Sequence, residues 1–366
     1  MKILQLLGNT AFGGATLIVS KISQKLRDEG HEVIVMANDQ KTKEHFQSLG
    51  FICDDIKHMG RNIHPYNDLM SVFALKTYVT SNHIDVIHSH TTKGGIYSRA
   101  LKMIYSKCLV VHTVHGYYLK MDGSRSDKVT LFIERLFHGF ADHTTYVNTY
   151  DYDLAKMWSK GSKNHLIFNG IDIEKFRPVS HAVLDPITIG ISARIVHEKG
   201  YSEFMDLINH YKNHDNIQFE ILGEGPDEVF YKNEVCKIFG VNHVNQQSKV
   251  LFHGYSNEVK KVIGTWAINV LPSYREGLSI SLLEALALGI PSVATNIRGN
   301  NEIIENGVSG LLYEARNSTH LIEKVDELVN NPDLMMKISF ESRKQVEERF
   351  DQIKMLESYV HIFANL

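Results

Sequence analysis

Short runs of β-branched and apolar residues alternate with amphipathic helical stretches along the whole chain. KILQLL, EVIVMA, DVIHSH, LVVHTVH, HTTYV and HLIFNG read as strands in the first half, and ITIGISA, IQFEILG, VLFHG, AINVLPS and PSVATN in the second. Between them lie helices such as Ala15–Glu29, where Leu17, Ile18, Lys21, Ile22, Lys25 and Leu26 keep helical spacing and Gly30 stops it. This alternation builds parallel sheets covered by helices on both faces. One closed eight-stranded barrel would also absorb it. Two domains fit better, because the chain has 366 residues and FRPVSHAVLDP breaks the pattern before ITIGISA restarts it. The expected architecture is α/β, with two Rossmann-like doubly wound parallel-sheet domains facing a cleft. They span 1–175 and 186–350 with five or six strands each, and a tail helix over 351–366 packs back on the first. Ligands of such sheets sit at the carboxyl ends of the strands.

Charge and cysteine usage narrow the function. Lys and Arg number 39 against 42 Asp and Glu, so no global basic field suggests nucleic acid. Cys53, Cys108 and Cys236 are scattered and form no CxxC, which argues against a zinc ribbon or a disulfide framework and for a reducing, cytoplasmic setting. MKILQLLGN is too short in apolar length for a signal peptide, and no run reaches the ~18 apolar residues of a spanning helix.

Three turns have the glycines that let a phosphate approach backbone N–H groups. Gly8-Asn-Thr-Ala-Phe-Gly13-Gly14 has too long a first gap for GxGxxG, and Gly223-Glu-Gly225-Pro226 has Glu228 where a third glycine belongs. Each alone reads as a tight turn. The third is the run Ser273-Tyr-Arg-Glu276-Gly277-Leu278-Ser279, which follows a strand and opens a short helix ended by Gly289 and Pro291. Glu284 lies inside that helix among Leu282, Leu283, Ala285 and Leu286. A carboxylate there is costly unless paired, and sugar or ribose hydroxyls would pair it. Ser273-x-x-Glu276 and Ser281-x-x-Glu284 also have the form of capping boxes. Two overlapping boxes cannot both form on one short helix, which favours a ligand role.

After ITIGISA come Arg194 and Lys199, a fork and a mobile point charge suited to a diphosphate, or else two solvated surface charges. Four histidines crowd two strand ends. His88 and His90 share a strand face, whereas His112 and His115 point to opposite faces. His88-x-His90 has the spacing that seeds a metal site, but no carboxylate cluster completes it. Hydrogen-bonded burial suits His88 and His112 better, and His115, before Gly116, is placed to donate a hydrogen bond to a ligand. From Lys57 to Arg135, eleven basic side chains outnumber five acidic ones. Tyr97, Met103, Ile104, Tyr105, Tyr117, Tyr118, Leu119 and Met121 are interleaved with them, a composition suited to an anionic membrane surface.

Together these motifs resemble a retaining glycosyltransferase of family four, with the two-domain GT-B fold, over nearly the whole chain. The most specific part is SYREGLSISLLEALALGIPSVAT, with the family's Glu–seven residues–Glu pattern at Glu276 and Glu284, continuing through NIRGNNEIIENGVSGLLY. ISARIVHEKG resembles the family's phosphate-clamp loop, and FNGIDIEKFRP its hinge. HSHTTKGGIYSRA and VHTVHGYYL resemble the branch that builds bacterial capsules, exopolysaccharides and lipopolysaccharides. The resemblance implies a hexose or N-acetylhexosamine donor, UDP-linked by default, and a glycan or polyprenyl-diphosphate-linked acceptor, with no metal and no cofactor. It implies that Arg194 and Lys199 hold the diphosphate, with Gly277, Leu278 and Ser279 at its distal phosphate. Glu284 would bind the ribose, Glu276 would face the sugar, and His115 would hydrogen-bond that sugar. Gly14 would approach the phosphates, and the base would rest near Gly223, Gly225, Phe252, His253 and Gly254. Ser279 departs from the small or proline residue usual there. The rival readings are a sugar-nucleotide epimerase of the same fold, a non-catalytic sugar-nucleotide binding protein and a metallohydrolase built on His88 and His90.

Overall fold

The computed structural model describes residues 1–8, 11–60, 64–117, 125–158, 163–178, 186–244 and 248–366, with the backbone alone at 125 and 126. They form two compact units. One is Met1–Asn169 with Ile353–Leu366, and the other is Gly170–Gln352.

In the first unit the chain runs β1 (Lys2–Gly8), α1 (Gly14–Asp28), β2 (Glu32–Ala37), α2 (Gln40–Ser48), β3 (Ile52–Asp54), α3 (Pro65–Ser81) and β4 (Val86–His90). It continues with α4 (Thr92–Ile104), β5 (Leu109–Val114), α5 (Arg125–Phe137), β6 (His143–Tyr146), α6 (Thr149–Lys156) and β7 (Lys163–Leu166). The parallel sheet has the order β3-β2-β1-β4-β5-β6-β7. The second unit holds β8 (Ile187–Ser192), α7 (Tyr201–Tyr211), β9 (Ile217–Leu222), α8 (Glu228–Phe239), β10 (Val250–Gly254), α9 (Val259–Ile263) and β11 (Ile268–Leu271). Then come α10 (Ile280–Ala287), β12 (Ser292–Thr295), α11 (Asn300–Ile303), β13 (Leu311–Tyr313), α12 (Ser318–Val329) and α13 (Pro332–Arg349). Its parallel order is β10-β9-β8-β11-β12-β13. Both sheets are therefore doubly wound, with strand order reversing between β1 and β4 in one and between β8 and β11 in the other. At those points adjacent connections leave on opposite faces and open a crevice at the strand ends.

The structure corrects several details. The sheets hold seven and six strands. The three-residue β3 and β13 were too short to stand out as periodic runs. The run HLIFNG is strand only to Leu166, because β7 begins earlier, at Lys163. The unit boundary falls at 169/170 rather than at 175 and 186. Residues 170–178 are pinned to the second unit. Ile171 N–H donates to the Phe350 carbonyl, and Gln352 N–H to the Ile171 carbonyl. Arg343 on α13 donates to the carbonyls of Ile173, Phe176 and Ala287 at 2.7–3.0 Å. Most of the proposed linker, 179–185, lies outside the described residues.

The last helix, α14 (Gln352–Ala364), buries Met355, Tyr359, Ile362 and Phe363. The Tyr359 hydroxyl lies 3.3 Å from those of both Thr113 and Thr145. His88 packs against the Tyr359 and Phe363 rings. These contacts explain why Ile353–Leu366 clusters with the first unit.

Candidate active site

In the second unit, the loops that leave β8 and β11 flank the point where strand order reverses. Backbone packing fixes the first loop. Ala193 N–H donates to the Leu222 carbonyl and Ile195 N–H to that of Glu224. A Cβ on Gly223 would lie 2.1 Å from the Ala193 carbonyl oxygen, and one on Gly225 2.0 Å from that of Ile195. Gly223, at φ 143°, has the positive φ that the turn reading expected, and both glycines are also required by the approach of another loop, which that reading did not contain. At the other end of the loop Gly200, at φ 70°, passes 1.9 Å (Cβ position) from the Pro272 carbonyl oxygen. Tyr274 N–H then donates to the Glu198 carbonyl. The β8 and β11 loops are therefore sewn together.

That closeness sets the main polar contact. Lys199 Nζ lies 2.6 Å from Glu276 Oε1, with side-chain exposures of 26% and 10%. Lys199 is not a solvated surface charge, whereas Arg194 is exposed. Behind Glu276, Thr295 donates from its hydroxyl to the Ser273 carbonyl at 2.6 Å, and Asn300 Nδ2 donates to Thr295 Oγ1 at 3.0 Å. Gly299, at φ 90°, leaves room for the Gly277 carbonyl, 2.6 Å from where its Cβ would be. The Tyr274 ring lies between His197, at 5.5 Å, and the Arg316 guanidinium, at 4.8 Å. Thr295, Gly299, Asn300 and Tyr274 carried no assigned role in the sequence. Their signal was a polar, glycine-containing turn directly after an apolar strand.

Neither capping box forms. Ser279 caps α10, its Oγ accepting from Leu282 N–H at 3.3 Å. The far end closes as a Schellman turn, with Ile290 N–H on the Ala285 carbonyl, Gly289 N–H on that of Leu286, and Gly289 at φ 73°. The half-buried Glu284 side chain is left with no hydrogen bond or ion pair among the described residues. Burial pushes its carboxyl up to about 7, opposed only by Lys175. Gly277 is half-buried and Leu278 and Ser279 are buried at the same helix start. Phe252 packs against the core under the Lys232 ammonium, 5.2 Å from the ring centre. His253 Nε2 lies 2.9 Å from Glu220 Oε2, which also accepts from Trp266 Nε1–H.

In the first unit the strand ends are neutral. His88 Nε2 meets Thr113 Oγ1 at 2.8 Å, and His112 Nδ1 meets Ser89 Oγ at 3.0 Å. His88 and His90 share a face as expected, their rings 4.1 Å apart. His90 spends both nitrogens on Gln5 and His115, so the pair does not present a metal-binding edge. Among the described residues no group of three or more His, Cys, Asp or Glu side chains is placed to hold a metal ion. Burial lowers all four rings, His88 to about 3 and His115 to about 4. Gly14 opens α1, but Asn9 and Thr10 of its turn lie outside the described residues.

The basic segment is less open than its composition suggested. Tyr97 and Tyr117 are only 2% and 3% exposed. Tyr97 hydrogen-bonds Asp68, and Tyr117 packs on Tyr146 and Trp158. Lys93 pairs with Asp68, Lys102 with Asp142, and the buried Arg99 with Glu134. Tyr118, Leu119, Lys120 and Met121 lie outside the described residues. Met103 and Ile104 on α4 are exposed, as are Val129, Phe132 and Leu136 on α5, at a spacing that puts all three on one helix face. No helix among the described residues is long and apolar enough to cross a membrane.

Two doubly wound parallel-sheet units, each with a strand-end crevice, constitute the GT-B architecture. The crystal structure of Anabaena HepE in complex with UDP-glucose superposes with a TM-score of 0.81 at 19% identity over the whole of both chains. Residues 172–345 match the family described as Glycosyl transferases group 1, and residues 12–175 match Glycosyltransferase Family 4. The chain belongs to glycosyltransferase family four. A UDP-Gal:alpha-D-GlcNAc-diphosphoundecaprenol alpha-1,3-galactosyltransferase of Escherichia coli is 23% identical over 84% of this chain and 82% of its own. The capsular polysaccharide biosynthesis glycosyltransferase CapM of Staphylococcus aureus is 24% identical over 89% and 87%.

Proposed function

We propose that this glycosyltransferase moves a hexose or N-acetylhexosamine, with retention at the anomeric carbon, from a UDP-linked donor to a glycan or polyprenyl-diphosphate-linked acceptor in bacterial surface polysaccharide synthesis. The observation that carries the reading is the Lys199–Glu276 contact of 2.6 Å beside the start of α10, with the half-buried Glu284 side chain, unpartnered among the described residues, on that helix. In the free enzyme each charge shields the other. A donor diphosphate would draw Lys199 away, joined by the exposed Arg194 fork and the positive end of α10. Glu276 would then face the sugar as positive charge grows on its ring, while the cations take up the negative charge of the leaving UDP. Glu284 would accept from the ribose hydroxyls and lose the cost of its burial.

No step in this account needs a divalent ion, and activity is expected to survive EDTA. No general base or covalent nucleophile is assigned, because the leaving phosphate oxygen would take the acceptor's proton. The Escherichia coli relative is named for a lipid-diphosphate acceptor, which supports the same class here. The exposed apolar face of α5, with exposed Lys128 and Arg135 on the same helix, supports docking of the first unit on an anionic membrane. A thermal-shift panel of nucleotides and nucleotide sugars, followed by transfer assays with lipid-diphosphate sugars, tests the reading. Stabilisation by UDP and acceptor-dependent release of UDP are expected. Conversion of a nucleotide sugar without acceptor would replace it with epimerisation.

A further inference from the structure

We propose that Gln5 and His90 are positioning residues that hold the proton of His115 on Nε2, so that His115 presents Nδ1 as a hydrogen-bond acceptor for a ligand hydroxyl. Three strands meet in this chain of contacts. Gln5 is on β1, His90 ends β4, and His115 follows β5. Gln5 Oε1 lies 2.8 Å from His90 Nε2, and His90 Nδ1 lies 3.1 Å from His115 Nε2.

The proton positions follow in order. With the Gln5 amide turned so that its oxygen faces His90, which leaves Gln5 Nε2 buried without a partner among the described residues, His90 carries its proton on Nε2, because an amide oxygen only accepts. A neutral imidazole has one N–H, so His90 Nδ1 is a lone pair. That lone pair takes the proton of His115 Nε2, and His115 is left with a bare Nδ1. Neutral rings are required, and the surroundings enforce them. Burial and neighbouring imidazoles hold His90 far below its ordinary value, and burial lowers His115. Among the described residues His115 Nδ1 is shut off from solvent and has no partner. A buried acceptor without a donor carries a desolvation cost that an arriving O–H removes. Gly116, at φ 114°, turns the backbone immediately after the ring. The chemical class that fits is an alcohol, a sugar hydroxyl of donor or acceptor. His115 thus accepts a hydrogen bond, the reverse of the donor role read from the sequence. The identity of the hydroxyl rests on the proposed glycosyl transfer, whereas the tautomer does not.

The test is a long-range proton–nitrogen correlation spectrum of the full chain labelled with 15N-histidine at pH 7, with His115 signals identified by their loss in His115→Gln. A single Nε2–H tautomer is expected in the wild type. An Nδ1–H tautomer, or an averaged mixture, would overturn the proposal. Gln5→Glu, which keeps an acceptor facing His90, should preserve the tautomer, and Gln5→Leu should release it to a mixture. An unchanged His115 in folded Gln5→Leu would remove Gln5 from the role. With any donor the enzyme turns over, Gln5→Leu should lower kcat by about threefold to tenfold, the worth of one hydrogen bond, with KM nearly unchanged. Nε2–H in the wild type without turnover of any donor would leave the tautomer standing and count against glycosyl transfer alone.

Discussion

The two units share one winding and differ in what they place where strand order reverses. In the second unit that point carries ionisable groups: Lys199 against Glu276, an exposed Arg194 and a half-buried Glu284. In the first it carries neutral groups, the buried Gln5, His88, His90 and His112 and the half-buried His115, joined to one another or to hydroxyls. Topology fixes where a ligand can lie but not which ligand. Charges suit a diphosphate, whose own charge offsets their desolvation. Neutral acceptors and donors suit sugar hydroxyls. The contrast underlies our proposal that the nucleotide binds the second unit and a neutral part of the substrates the first.

The largest expected effect comes from the ionic side. Glu276→Ala should lower turnover by about 10²-fold, the scale of losing one group that stabilises transition-state charge, while UDP affinity stays near wild type. Lys199→Ala should lower it on the order of tenfold or more. Because the two side chains share a contact, the double variant should cost less than the product of the single losses. Steady-state kinetics of the four proteins make the cycle. Full multiplicativity would mean that the contact has no part in the reaction.

Next is a pH effect that the neutral side lacks. Burial raises Glu284 to about 7, above its ordinary value of 4.5. Ribose hydroxyls favour the ionised form, so UDP affinity should rise by up to about tenfold per pH unit below 7 and level off above it. Glu284→Gln should flatten that slope in titration calorimetry. Without ligand the sign for stability is opposite. The unfolded chain ionises first, so this group destabilises the fold progressively as pH rises from about 4.5 to 7, and Glu284→Gln should gain melting temperature at pH 8 relative to pH 5. A variant as pH-dependent as wild type would refute the assignment.

The smallest effect concerns the outer surface of the first unit. Lys128→Glu with Arg135→Glu should weaken sedimentation with anionic vesicles by at least about fivefold per basic residue, since each is worth ~1 kcal/mol, and Phe132→Asp with Leu136→Asp should also weaken it. Salt should weaken it too, and UDP binding should be unchanged. Equal, negligible binding to anionic and neutral vesicles would end the membrane proposal. Lys102 is a poor target, because its loss also frees Asp142 inside the fold.

Local pattern made the long strands, α1 and both ends of α10 legible, and with them the loops that carry Arg194, Lys199 and Glu276. What the sequence did not show are contacts between distant segments. Lys199 and Glu276 are 77 residues apart, and only the pairing of β8 with β11 brings their loops together. The Gln5–His90–His115 chain likewise needs β1, β4 and β5 side by side. Tyr97 and Tyr117 misled because an aromatic among basic residues looks the same whether it faces solvent or, as here, the core. Gly223 has the positive φ of a turn residue, but that Gly223 and Gly225 are also required by the approach of the loop after β8 was not legible.

The central claim is that the charged strand ends of the second unit, and not the neutral ones of the first, hold the nucleotide. Calorimetric titration of UDP into the full chain tests it directly. Arg194→Ala, Lys199→Ala and Glu284→Ala should each weaken binding by about tenfold or more, while His115→Gln and Gln5→Leu should leave it within about twofold, the small end of what losing one neutral contact costs. Loss of UDP affinity in His115→Gln equal to that in Lys199→Ala would contradict the account.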